Sequence, residues 1–200
     1  MKLQFFTNIS HEFKTPLTLI ISPLEKLLDT KTNNEWYNKQ IDLVYKNATR
    51  LLSLIDQLLE FRKAEMGKLD LKVTNNEIVE FLHEVFLSFS SLAKSRNIIY
   101  TFDNDIDQLH LYFDKSILEK IMFNLLSNAF KYTPSGGSIS LQVDKNQKDV
   151  TIVVKDSGKG IPTAQQSLIF DRFYSIKESN PLGGSGIGLA FTKRLVVSQH

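Results

Sequence analysis

A seven-residue hydrophobic period occupies the first third of the chain and then stops. Leu3, Ser10, Leu17 and Leu24 fall in one register, and Phe6, Phe13, Ile20 and Leu27 follow three residues later. Such a seam predicts a bundle-forming helix over Leu3 to Leu28. Thr30 to Asn34 is polar and turn-like, after which Ile41, Ala48 and Ile55 interleave with Val44, Leu51 and Leu58 in a second array ending near Met66. Two arrays separated by a short polar break predict an antiparallel helical hairpin. Ile21 and Leu28 on the first helix, and Leu52 and Leu59 on the second, widen each stripe beyond what one partner helix covers. The expectation is a homodimer that closes a four-helix bundle; the alternative is that the hairpin packs on the domain that follows.

After Gly67 the period changes. Leu69 to Val73, Ile98 to Phe102, Leu109 to Tyr112, Ser138 to Val143 and Val150 to Lys155 carry the β-branched and aromatic patterning of strands, while Glu77 to Ser95 and Lys115 to Tyr132 keep helical spacing. The irregular interspersion predicts an α/β sandwich with helices on one sheet face, so the whole is α+β, divided into residues 1–66 and 67–200. At 200 residues and 42% hydrophobic, the chain has enough apolar material to give each part a core. A net charge of +2 argues against a nucleic-acid partner, and the lack of cysteine removes disulfides, thiolate metal sites and a Cys nucleophile. No apolar run approaches a bilayer span, so no membrane contact is expected of this chain.

Four segments carry chemistry. In Ser10-His11-Glu12-Phe13-Lys14-Thr15-Pro16, the heptad puts His11 one step off the seam, facing solvent. The carboxylate that follows at once could bond one ring nitrogen and leave the other nucleophilic. Pro16 removes a backbone bond one turn later and allows a bend there. A zinc-protease motif is excluded, because Thr15 stands where its second His should be. On the second predicted helix of the α/β part, Asn124, Asn128 and Lys131 share one face. Two amides and a cation suit a metal ion with phosphate oxygens, although the same residues also make an ordinary solvent face.

Asp156-Ser157-Gly158-Lys159-Gly160 follows a predicted strand. A buried carboxylate at the strand end could accept a hydrogen bond from an exocyclic amine such as adenine's, while a plain turn is the alternative. Gly160 after Lys159 rules out a Walker A loop. Last, Gly183-Gly184-Ser185-Gly186-Ile187-Gly188-Leu189 precedes a helical run from Ala190 to Val197. Its glycines and the free N–H groups of a helix start suit a phosphate, but without a preceding strand it is no dinucleotide-binding loop.

Together and in this order, the segments resemble the transmitter core of a two-component sensor histidine kinase across the whole chain. Phe6 to Leu17 is similar to that family's H box, Asn124 to Pro134 to its N box, Asp156 to Gly160 to its first glycine box, Phe170-Asp171-Arg172-Phe173-Tyr174 to its F box, and Gly184 to Leu189 to its second glycine box. The wording around His11, with Ser22-Pro23-Leu24-Glu25-Lys26-Leu27, is most similar to hybrid sensors. The resemblance implies a dimerisation and phosphotransfer hairpin followed by an ATP-binding domain of the GHKL (Bergerat) type. It implies ATP-dependent autophosphorylation of His11 and transfer to an aspartate on a response-regulator receiver, in cis in a hybrid or in trans. In that scheme Glu12 is the general base, and Asn124 and Asn128 hold Mg²⁺. Lys131 and Tyr132 lie beside the nucleotide together with Asp156, Gly158, Gly160, Ile161 and Phe173. Gly184, Ser185, Gly186, Ile187, Gly188 and Leu189 cover the phosphates.

Thr15 matches the position that can place a water for phosphatase activity; otherwise it is a helix threonine preceding Pro16. Two other functions compete. One is a hydrolytic ATPase of the same superfamily, disfavoured because those enzymes carry a Glu where Asn124 stands. The other is a non-catalytic dimerisation module that binds ATP. The resemblance also implies a cytoplasmic domain of a parent protein anchored in the inner (plasma) membrane. Similar catalytic domains continue past the last helix with two further strands, whereas this chain ends at Gln199-His200. An open sheet edge and weakened nucleotide binding are therefore expected.

Overall fold

A computed structural model of the chain describes residue 13 and residues 15–26, 34–171, 174 and 188–198. Its first compact unit contains helix α1, residues 15–26, and helix α2, Asn34–Glu65, which form the helical hairpin. The seven-residue repeat is present on α2, and the buried register matches the expected one only in part: Val44, Leu51 and Leu58 are half-buried. Asn47, Leu54 and Phe61 are buried, whereas Ile41 is 53% exposed and Ala48 and Ile55 are also exposed. On α1 the buried residues are Pro16 and Pro23, while Leu17, Ile21 and Leu24 are exposed. Each helix thus carries two apolar stripes, and the one expected to form the inner seam is partly turned outward. Asn47 meets its burial by donating from Nδ2 to the Leu43 carbonyl at 2.7 Å.

The second unit, Leu69–Phe170 with Gly188–His200, is an α/β sandwich. Strand β1, Thr74–Glu77, pairs antiparallel with β3, His110–Phe113. Strand β2, Ile99–Asn104, lies parallel to β4, Ser138–Lys145, which pairs antiparallel with β5, Val150–Asp156. Helices α3, Ile78–Ser95, and α4, Lys115–Tyr132, supply one side of the core: Leu82, Val85 and Phe89 meet Met122, Leu126 and Phe130 over Ile139, Leu141 and Val143 of β4. Phe130 stacks on Phe89 at 5.5 Å and meets Tyr100 edge-on at 5.1 Å. A single turn, α5, Thr163–Gln166, and helix α6, Gly188–Ser198, complete the described elements.

Two expectations need correction here. Leu69 to Val73 is not a strand: β3 has four residues, its partners are Thr74 to Glu77, and Leu71 and Val73 remain exposed. The last helix begins at Gly188, two residues before Ala190. Helix α4 has the bounds its spacing predicts because both ends are marked. Buried Asp114 is its N-cap, accepting from the Ile117 N–H at 3.1 Å through one oxygen and from the Lys72 N–H at 2.7 Å through the other. Pro134 follows its C-cap and disfavours helical backbone at Thr133.

Glu77 caps α3 in the same way. Its carboxylate accepts from the backbone N–H groups of Val79 at 3.1 Å, of Glu80, and of Leu109 at 2.8 Å. Desolvation raises its pKa, but the backbone bonds from Leu109, Glu80 and Val79, with His110 nearby, outweigh this and hold it below the ordinary 4.5. A depressed carboxylate pKa contributes stability that is present above its unfolded value and is lost as pH falls through the folded one. Urea midpoints of the chain and of Glu77→Gln should therefore differ most near neutrality and converge between about pH 5 and pH 3. A gap constant with pH would show that the charge contributes nothing.

Candidate functional site

Ile117, Ile121, Met122, Leu126, Ala129 and Phe130 are buried in α4 and Glu119, Phe123 and Ser127 are exposed; Asn124, Asn128 and Lys131, spaced four and three apart, lie together half-buried along the flank between them. Asn124 is held firmly. Its Nδ2 donates to Thr192 Oγ1 of α6 at 2.7 Å, and a Cβ built on Gly188 would lie 2.5 Å from its Oδ1. Gly188 is the first residue of α6, so the absence of a side chain there lets a helix N-terminus approach an amide oxygen of α4. Helix starts offer free N–H groups and a positive dipole end, which together favour a phosphate.

At the far end of α4, Tyr132 is 43% exposed, with the ammonium of Lys131 5.2 Å and that of Lys159 5.9 Å from its ring centroid. The loop after β5 rests on the same residue. A Cβ at Gly158 would meet the Tyr132 carbonyl oxygen at 2.7 Å and the Tyr132 carbonyl carbon at 3.0 Å. Asp156 Oδ1 accepts the Gly158 N–H at 2.8 Å, and Gly160 turns the chain with a φ of +68°. The Ile161 carbonyl accepts from Gln166 Nε2 at 3.1 Å, which ties the end of the loop to α5.

Asp156 does not occupy the buried position expected of it. It is exposed: among the described residues β5 is the outer strand of the order β2-β4-β5. The structure brings Asn124, Gly188 and Thr192 together, and separately Tyr132, Asp156 and Gly158. Thr192 had no local sequence signal, since its partner lies 68 residues away. Thr15 is helical and exposed, Asn128 is half-buried one turn after Asn124, and Leu189 is half-buried beside Gly188. His11, Glu12, Phe173, Gly184, Ser185, Gly186 and Ile187 lie outside the described residues. Among the described residues no group of His, Cys, Asp and Glu could hold a metal ion, and no helix is long and apolar enough to cross a membrane.

A mixed sheet backed by α3 and α4, with an amide of α4 set against a glycine-started helix, defines an ATPase-type domain joined to a helical hairpin. Residues 1–67 match the model of the His Kinase A (phospho-acceptor) domain, and residues 113–200 match the Histidine kinase-, DNA gyrase B-, and HSP90-like ATPase. The chain belongs to the sensor histidine kinase family.

Histidine kinase P4 of Formosa agariphila is 45% identical over 97% of this chain. Hybrid signal transduction histidine kinase D of Dictyostelium discoideum is 34% identical over 98%. The chain spans only 14% and 13% of those proteins' lengths. Full-length ShkA, solved in complex with AMPPNP, superposes with a TM-score of 0.72 at 26% identity, over 98% of this chain and 41% of that one.

The two glycines make different demands. At Gly158 an added Cβ meets backbone, which cannot move aside, whereas at Gly188 it meets the end of one side chain. Gly158→Ala should destabilise by roughly 1–3 kcal/mol, as overpacking does. Gly188→Ala should lose about 1 kcal/mol with the Asn124–Thr192 bond, and in an Asn124→Ala background its further effect should nearly vanish. Thermal melts of the four variants test this, and full additivity of the Asn124 and Gly188 changes would contradict it.

Proposed function

We propose that this chain is the catalytic core of a histidine kinase that takes the γ-phosphoryl group of ATP onto His11 and passes it to a receiver aspartate. The observation that carries the reading is Asn124. It stands on the half-buried polar face of α4, beside the start of α6, with an amide where a hydrolytic relative needs a carboxylate. An amide cannot take a proton from water at neutral pH, so the phosphoryl group needs a nucleophile from elsewhere in the chain. His11, with Glu12 beside it, supplies one. A ring nitrogen of His11 attacks the γ-phosphorus, the bond to the bridging oxygen of ADP breaks, and Glu12 accepts the imidazole proton. Asp156 would receive adenine's amino group, Tyr132 would lie against the nucleoside, and Lys131 would offset phosphate charge.

Mg²⁺ fits the donors present. The Asn124 Nδ2 is committed to Thr192, which leaves Oδ1 as a hard oxygen ligand facing the α6 start, and Asn128 stands one turn on. Bound there with phosphate oxygens, it would screen charge on the transferring group. Thr15 is proposed to place water for a phosphatase reaction on the regulator. Residues 1–66 would form the phosphotransfer domain and 67–200 the catalytic one, working in the cytoplasm, where ATP is available, within a parent protein anchored in the membrane.

Incubating the chain with γ-labelled ATP and Mg²⁺ should give an acid-labile, base-stable phosphoprotein, lost in His11→Gln and in Asn128→Ala. Equal labelling of His11→Gln would remove His11 as acceptor. Release of phosphate without labelling would favour the ATPase.

The proposed partner in the hairpin is a second copy. Leu17, Ile21 and Leu24 on α1 and Ile41, Leu52, Ile55 and Leu59 on α2 form an exposed apolar stripe, with Leu52 at 59% and Leu59 at 56% exposure. A matching stripe on an identical chain would close a four-helix bundle. Sedimentation should find a dimer, and Leu52→Glu with Leu59→Glu should yield a folded monomer; a dimer unaffected by both changes would place the interface elsewhere.

A further inference from the structure

We infer that Arg96 is a positioning residue for the nucleotide site, an assignment that rests on the ATP-binding reading above. Arg96 ends α3, far in sequence from every segment that resembles a functional motif. Its guanidinium nevertheless donates from Nη1 to the Phe130 carbonyl and from Nη2 to the Thr133 carbonyl at 3.0 Å. These two carbonyls bracket Tyr132 at the C-terminus of α4, where the last turn leaves acceptors unpaired and carries a partial negative charge. A planar fork with several donors satisfies both at once, which a lysine ammonium on a flexible stem does less well.

The adjoining backbone reinforces the clamp. Asn97 adopts a left-handed φ of 53°, its carbonyl accepts the Gly136 N–H at 3.0 Å, and the Ile99 N–H donates to the Gly137 carbonyl at 2.9 Å. The α3–β2 corner therefore grips the loop after α4 on both sides of Thr133.

What the clamp holds is the surface on which the Asp156 loop rests. The Tyr132 carbonyl lies so close to Gly158 that no Cβ fits between them, and Asp156 is tied to the Gly158 N–H. Arg96 thus sets the Tyr132 peptide, that peptide sets Gly158, and Gly158 sets Asp156. Without the guanidinium, two carbonyls lose their partners and the last turn of α4 frays, carrying Lys131 and Tyr132 away from the loop.

Calorimetric titration of the chain with ADP and Mg²⁺ tests this, comparing the unaltered chain with Arg96→Met, Arg96→Lys and Asp156→Asn. The inference expects Arg96→Met to raise Kd about tenfold with one site per chain retained, and Arg96→Lys to fall between. In autophosphorylation the KM for ATP should rise while kcat at saturation is unchanged, because Arg96 does not touch the acceptor. A Kd within twofold of the unaltered chain overturns the inference, as does a lowered number of sites with unchanged Kd, the mark of a purely structural role. If Arg96→Met does not fold, Arg96→Lys decides alone: a raised Kd supports positioning and an unchanged one refutes it. The two readings fail differently. If the unaltered chain takes up no ADP, or Asp156→Asn binds as well as it does, the ATP-site reading falls; an effect at Asp156 with none at Arg96 sinks only the positioning role.

Discussion

The two-faced character of helix α4 is the constraint on which the rest of the site depends. Its apolar side is locked among Leu82, Phe89, Ile139 and Leu141 in a core where side chains interdigitate. Turning the helix by one residue would drive Asn124 or Asn128 into that core at about 1–3 kcal/mol for each unpaired polar group. Core packing therefore settles which way the amides point. Phe130, between Asn128 and Lys131 in sequence, is almost fully buried and stacked on Phe89, so the hydrophobic core and the polar face are two sides of one object. The ends are fixed independently, by Asp114 at the start and by Arg96 at the last turn.

How much of this was legible in the sequence depended on whether the determinant was local. Helix α4 was legible to the residue because the Asp114 cap, the apolar spacing and Pro134 all lie within its own stretch. Strand β1 was not: Thr-Asn-Asn-Glu has poor strand preference, and it is held by pairing with β3 and by Asn76 donating from Nδ2 to the Phe113 carbonyl at 3.1 Å. The more strand-like Leu69 to Val73 has no partner in either sheet. The exposure of Asp156 goes with the outer place of β5 among the described strands, which no local pattern contains. In the hairpin the period was correct and the inward register only in part, with Val44, Leu51 and Leu58 half-buried and Ile41, Ala48 and Ile55 exposed. Helix α2 has two apolar stripes, and a repeat of seven cannot rank them when both are rich in leucine and isoleucine.

The same contrast explains which site residues were found. Asn124, Asn128, Gly158 and Gly188 belong to short motifs with characteristic spacing, so they were readable one segment at a time. Thr192 and Arg96 act through hydrogen bonds that span 68 and 34 to 37 residues. An arginine or threonine near a helix end carries no signal of what lies opposite, and only the folded chain pairs them.

Both groups of site residues are referenced to α4. The start of α6 is set against Asn124, and the loop after β5 is set against Tyr132, eight residues further along the same helix. Helix geometry fixes that separation at about 12 Å along the axis. Two surfaces gauged from one rigid rod keep their spacing whatever the connecting loops do, which suits a ligand with a base at one end and phosphates at the other. Glycine is needed at both contacts for one reason: the gauge works only if backbone touches the rod directly, at Gly188 against an amide and at Gly158 against a carbonyl. In the proposed reaction the nucleotide is thereby held by one unit, while the acceptor His11 lies in the hairpin sequence. The chemistry would then require bringing the imidazole to a phosphorus held against α4.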